Sequence, residues 1–223
     1  LASHVIGYIG KISESELKTR KEKYSANDYI GKTGVEAVLE EYLKGEDGKK
    51  QIDMTVDGTT TGEYVTKEAV SGSDVILTID ANLQKVAEDS LKTTIEKVKN
   101  GEFFEQYDAK GGTVVVTNVK TGEVLALVSY PDYDPSVMYN GVSKDKLNEY
   151  NEQKAFYNRA ISGAYAPGSI FKMVTAVAGL ETGAITRTEK IRDTGIYSKY
   201  GESWKCWYYT EHKTGHGYIN VSG

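Results

Sequence analysis

One cysteine, three prolines and three histidines are all that this chain of 223 residues holds of those types. A lone thiol, Cys206, excludes an internal disulfide, so cysteine pairing says nothing about redox compartment. Lys and Arg number 27 against 32 Asp and Glu, a formal charge of -5, and this lack of basic excess argues against nucleic acid or anionic lipid as partners. No apolar run approaches the ~20 residues that cross a bilayer, and the opening lacks the pattern of a signal peptide. Internal repeats and low-complexity tracts are also missing. The three prolines, Pro131, Pro135 and Pro167, fall in one stretch, which concentrates irregular structure where binding loops are expected.

What is present shifts in character near residue 70. Before it, the pattern predicts an edge strand over Val5 to Ile9, a charged helix over Ser13 to Glu22 and a second helix over Gly34 to Leu43. Lys49 to Val56 and Gly62 to Thr66 alternate as a hairpin. The run Lys18 to Lys23 reads as a solvated face. After it, a strand is expected from Val75. A long amphipathic helix follows, with Leu83, Val86, Ala87, Leu91, Ile95 and Val98 along one side. Strands over Thr113 to Asn118 and Glu123 to Tyr130 are joined by a tight turn at Lys120-Thr-Gly122.

Ser-x-x-Lys occurs three times, and two copies, Ser15/Lys18 and Ser143/Lys146, sit in polar surroundings that suit a solvated helix. The third, Ser169/Lys172, follows a Pro167-Gly168 break and opens an apolar run, which places Ser169 in the first turn of a helix. Three residues is just under one turn, so serine and lysine share a side, at the helix end that favours developing negative charge. That pattern is a serine nucleophile with an adjacent amine base. A lysine in that role must be largely uncharged, and lowering it from about 10.4 to about 7.5 takes roughly 4 kcal/mol of destabilisation of its cation.

The context of Ser169 resembles the penicillin-binding proteins, whose active serine lies in Ser-x-x-Lys at a helix start. Asn158-Arg159-Ala160-Ile161, then Tyr165-x-Pro167-Gly168-Ser169-x-Phe171-Lys172, is similar to the family's approach to its nucleophile. Ile170 replaces a threonine often found there. Farther upstream, Ala2 to Gly10, Ile30 to Glu36 and Tyr42 to Gly45 resemble the N-terminal region of class B enzymes. Val75 to Asp80 with Leu83-Gln84, and Thr121 to Leu127 with Tyr130-Pro131, resemble the entry to their transpeptidase domain.

The resemblance implies an α+β protein: an N-terminal pedestal, 1–70, and an incomplete α/β transpeptidase domain of serine β-lactamase type, 71–223. It implies peptidoglycan cross-linking by a serine D-alanyl-D-alanine transpeptidase, with Ser169 as nucleophile, Lys172 as base and no cofactor needed for catalysis. Expected partners are peptidoglycan stem peptides, β-lactam antibiotics, a glycosyltransferase and morphogenetic proteins of the elongation or sporulation type. The chain reads as excised from a longer protein with a single N-terminal membrane anchor and an extracytoplasmic catalytic domain. The family's Ser-x-Asn and catalytic Lys-Thr-Gly are not recognised here. The three Lys-Thr-Gly copies, at Lys32, Lys120 and Lys213, lie before the nucleophile or too soon after it, and the expectation is that the segment alone acylates very slowly. Two alternatives stay open: a β-lactam-hydrolysing or sensing relative, and a non-catalytic interaction module.

Cys206-x5-His212-x3-His216 gathers the sole cysteine and two of the three histidines, a donor set that suits tetrahedral zinc in a structural role. A hairpin of Ile191 to Tyr197 with Ser203 to Tyr208 would set Asp193 across from about residue 207 as fourth ligand. Against zinc, Cys206 and His216 match positions that the family often has without metal, and only His212 is additional. His4, in the N-terminal motif, reads as structural.

Overall fold

The computed structural model describes residues 1–103, 105–201 and 203–220, and its contacts divide the chain into two compact units, Leu1–Ala164 and Tyr165–Gly223. The fold is α+β, and every strand pair within it is antiparallel.

The first unit opens with α1 (Ser3–Ile6) where a strand was expected, and the strand β1 (Ile9–Lys11) begins only after Gly7, pairing with β2 (Tyr29–Gly31). Gly7 forces the change of direction: its φ is +84°, and a Cβ there would lie 1.8 Å from the Thr33 carbonyl oxygen. Helix α2 (Glu14–Arg20) starts at a capping box, with the Ser13 hydroxyl accepting from the Glu16 N–H and Glu16 reaching back to Ser13. The helix expected over Gly34 to Leu43 is broken at Leu39 into α3 (Gly34–Val38) and α4 (Glu40–Leu43). Glu40 is the reason to turn there. Its buried carboxylate accepts from Tyr24 Oη at 2.6 Å and from the Gly31 N–H at 2.7 Å, tying α4 to β2 and to a small core of Ile12, Tyr24 and Ile30. Strands β3 (Lys49–Met54) and β4 (Thr60–Lys67) form the predicted hairpin and leave most of their side chains exposed.

Residues 74–79 form no strand. Thr78 Oγ1 donates to the Val124 carbonyl at 2.6 Å, and Asp80 N–H donates to Leu125 O at 2.9 Å, just before helix α5 (Ala81–Lys99). Asp80 caps that helix by accepting from the Leu83 N–H. Helix α5 packs on the hairpin of β5 (Gly112–Thr117) and β6 (Val124–Tyr130), where alternate residues Val114, Val116, Ala126 and Val128 face Leu83, Ala87 and Leu91. Val86, assigned to this face by periodicity, is 61% exposed, and Gln84 takes a buried place instead. Gln84 behaves as a short piece of strand. Its Oε1 accepts from Leu127 N–H at 2.8 Å and its Nε2 donates to Leu127 O at 3.0 Å, which satisfies the open edge of β6.

Helices α6 (Pro135–Asn140), α7 (Lys144–Glu152) and α8 (Arg159–Ser162) follow, each started by a side-chain cap from Asp134, Ser143 and Asn158. Tyr133, Tyr150 and Ala155 are buried together with Tyr8, Met138 and Phe156 around them. In the second unit, a 3₁₀ turn over Gly168–Ile170 leads into α9 (Phe171–Glu181). Strand β7 (Ile191–Asp193) pairs with β10 (Gly217–Ile219), and β8 (Ile196–Tyr197) pairs with β9 (Trp204–Lys205); α10 (Trp207–His212) lies between β9 and β10.

Candidate active site and candidate metal centre

Ser169 lies in the 3₁₀ turn rather than in the first turn of α9, which starts two residues later. The left-handed φ of +57° at Gly168 explains this, because the chain leaves Pro167 and must wind tightly before α-helical bonding begins. Lys172 follows in the first turn of α9, three residues after Ser169. Both side chains are exposed, and among the described residues no hydrogen bond joins the Ser169 hydroxyl to the Lys172 amine. Phe171, Met173, Val174 and Val177 on α9 are each more than half exposed, an unusual state for a helix so uniformly apolar.

The second cluster is tighter. Asp193 Oδ2, Cys206 Sγ and a ring nitrogen of His216 lie within 4.8 Å of one another. His216 Nδ1 stands 3.2 Å from Cys206 Sγ and 2.7 Å from Asp193 Oδ2, so one nitrogen faces both partners. A nucleophile–base–acid relay would engage the two ring nitrogens separately; here one nitrogen meets both partners, and the three residue types are ones that bind zinc. Backbone N–H groups of His216 and Gly195 also donate to Asp193, at 3.1 and 2.7 Å. With the His216 ring, they hold its carboxyl well below the usual carboxylate range.

The expected geometry is corrected in two respects. Asp193 does not face residue 207 across a hairpin; β8 and β9 are only two residues long, and Asp193 pairs with Gly217 on β10 instead. Cys206 arrives beside it through a bond from its own N–H to Gly195 O at 2.9 Å. Gly215 permits the close crossing, since a Cβ there would lie 2.1 Å from Asp193 O. His212 stands outside the group. It ends α10, stacked on Tyr208 with ring centroids 4.1 Å apart, and Lys213 then adopts a left-handed φ of +61° that turns the chain away before His216. The helix ends at His212, four residues short of His216. Neither the Gly195–Cys206 bond nor the β7–β10 pairing has a sequence signal.

Residues 112–223 match the family model for the penicillin-binding protein transpeptidase domain, and residues 1–77 match that for the penicillin-binding protein dimerisation domain. The chain belongs to the penicillin-binding proteins. A dimerisation domain ahead of a transpeptidase domain is the class B arrangement. Among the relatives of this penicillin-binding protein, the peptidoglycan D,D-transpeptidase MrdA of Acinetobacter baumannii is 33% identical over 224 residues, covering 99% of this chain and 31% of the relative. A solved structure described as structural coordination of polymerization and crosslinking by a peptidoglycan synthase complex superposes with a TM-score of 0.81 and 31% identity, over 98% of this chain and 37% of that one. The complex between PBP2 and MreC from Helicobacter pylori gives a TM-score of 0.68 and 27% identity, over 99% of this chain and 38% of that one. The chain thus spans about a third of the length of the relatives it matches.

Proposed function

We propose that this chain carries the nucleophile-bearing part of a serine D,D-transpeptidase that cross-links peptidoglycan. The observation that supports the reading is that Ser169 lies in the 3₁₀ turn leading into α9, with Lys172 in that helix's first turn. Ser169 Oγ attacks the penultimate D-alanine carbonyl of a stem peptide while Lys172 Nζ, in its uncharged form, takes the hydroxyl proton. The proton passes to the departing amine, terminal D-alanine leaves, and an acyl ester remains on Ser169. An amine of a neighbouring stem then attacks the ester and releases the serine. β-Lactams mimic the D-alanyl-D-alanine end and halt the enzyme at the acyl stage.

A structural zinc ion fits Asp193, Cys206 and His216. Thiolate, imidazole and carboxylate are its ordinary ligands. When bound it would supply no catalytic chemistry, only a cross-link of β7, the start of α10 and the approach to β10. His212 is not part of this set.

The relatives support the wider setting: one is named for D,D-transpeptidation, one structure for a synthase complex, and one for a complex with MreC. By likeness, the partners here are a glycosyltransferase and a morphogenetic protein of the elongation machinery, in the service of cell shape. The catalytic part then lies outside the cytoplasm, held by an N-terminal membrane anchor. Among the described residues no helix is long and apolar enough to cross a membrane.

Mass spectrometry of the full-length protein after penicillin treatment is the test. An adduct on the peptide containing Ser169, absent in Ser169→Ala, is expected, and an adduct elsewhere or none would remove the assignment.

A further inference from the structure

Asparagine followed by glycine occurs twice in the chain, at Asn100-Gly101 and Asn140-Gly141, and each pair closes a helix, α5 and α6. A glycine leaves its own backbone nitrogen unshielded and free to turn, so that nitrogen can reach Cγ of the preceding asparagine and close a five-membered ring. In a folded chain the reaction waits on whatever holds the two residues. At Asn100 the backbone is held throughout. Asn100 N–H donates to Glu96 O at 3.0 Å, Gly101 N–H to Val98 O at 3.2 Å and Glu102 N–H to Lys97 O at 3.0 Å. Gly101 is also packed, since a Cβ on it would lie 3.0 Å from Gln106 Cγ. At Asn140 the surroundings are open. Among the described residues the Gly141 N–H has no acceptor, a Cβ on Gly141 would meet nothing within 4 Å, and both residues are exposed. The Asn140 side chain is tied by one exposed bond, Nδ2 to Ser136 O at 3.0 Å, of the kind that helix ends release readily.

We propose that Asn140-Gly141 is a site of spontaneous backbone modification, from which Asn100-Gly101 is protected by its hydrogen bonds. The Gly141 amide gives its proton to hydroxide and its nitrogen bonds to Asn140 Cγ. The Cγ–Nδ2 bond breaks, and Nδ2 takes a proton from water and leaves as ammonia, which regenerates the hydroxide. Water then adds to either carbonyl of the succinimide and opens it to aspartate or to isoaspartate. Both products have lost Nδ2 and gained a carboxylate. A carboxylate cannot donate to Ser136 O, so the tie across the last turn of α6 disappears, and a negative charge arrives at the helix end that disfavours it. Helix α6 holds Tyr139 against Tyr29 of β1, with ring centroids 4.8 Å apart. Tyr29 belongs to the dimerisation-domain match and Tyr139 to the transpeptidase-domain match, so the modification loosens a contact between those two parts.

The test incubates the full-length protein, folded, at neutral and at mildly alkaline pH, beside the peptides that a protease releases from it. Both sites are followed by mass spectrometry with fragmentation that separates aspartate from isoaspartate. In the folded protein, conversion is expected several-fold faster at Asn140 than at Asn100, rising with pH and giving both products. In the peptides, where no fold protects either pair, the two should convert at similar rates. Converted protein, resolved by ion exchange, is expected to show faster amide exchange over residues 29–31 and 136–140 than unconverted protein. Asn140→Gln, whose longer side chain closes a ring far more slowly, is expected to lose the acidic form. No conversion at Asn140, equal rates at the two sites in the folded protein, or unchanged exchange after conversion overturns the proposal.

Discussion

The two units are held together in different ways. The first buries three clusters, around Ile30, around Ala87 with Ala126 and Val128, and around Tyr133 with Tyr150. The second, among its described residues, buries no hydrophobic side chain, although Trp204, Trp207, Phe171 and a run of aliphatic residues lie in it. Its order comes from a helix, two short ladders and the convergence of backbone and side chains on Asp193. The candidate catalytic and metal-ligating residues are in this second unit, and among the described residues the buried side chains are in the first. A cation bound at the Asp193 cluster would add stability to a unit with so little buried area.

The sharpest way to test this separation is to remove the amine without touching the packing. Lys172→Met in the full-length protein is expected to slow penicillin acylation by about 10²–10⁴-fold, the usual worth of a positioned base, while leaving the first unit's amide exchange unchanged. Equal acylation rates for both proteins would break the assignment of chemistry to the opening of α9.

Next in size is the metal. Stoichiometric zinc is expected by elemental analysis after metal-supplemented purification. Its loss in Cys206→Ser should be accompanied by rapid amide exchange across 191–219 while residues 81–130 keep their protection. Absence of zinc, or uniform loosening of both units, would end the idea that a cation takes the place of a core.

The smallest effects sharpen the comparison itself. Ile95 is 6% exposed on α5, so Ile95→Ala should cost about 2–5 kcal/mol in denaturant melts. Val177 is 58% exposed on α9, and Val177→Ala should cost less than about 1 kcal/mol. Similar costs at the two sites would mean that α9 is buried in a way its present surroundings do not account for.

Local signals carried much of this fold. Ser13, Asp80, Ser143 and Asn158 each announce a helix start, because a short polar side chain before a helical segment satisfies an otherwise open N–H. The β3–β4 and β5–β6 hairpins follow from alternation and the turns between them. Where periodicity misled, a tertiary contact won. Val86 gave up the inward place to Gln84, whose amide could close the edge of β6, and the helix over Gly34 to Leu43 broke so that Glu40 could reach Tyr24 and Gly31. The segment expected as a strand from Val75 is tied to residues 124 and 125 by Thr78 and Asp80 without forming a ladder, and a helix replaced the strand expected at Val5.

The sequence by itself determined the family, through an ordered set of motifs, and the break at Pro167-Gly168 that sets Ser169 at the opening of an apolar helix, since both depend on local pattern alone. Only the tertiary structure decided which donors meet. Asp193, Cys206 and His216 are brought together by the pairing of β7 with β10 and by one backbone bond from Cys206 to Gly195, contacts between residues far apart in the chain that no local pattern encodes. His212 was excluded for the same reason: where a helix ends and which way the chain leaves it are settled by what the next segment pairs with.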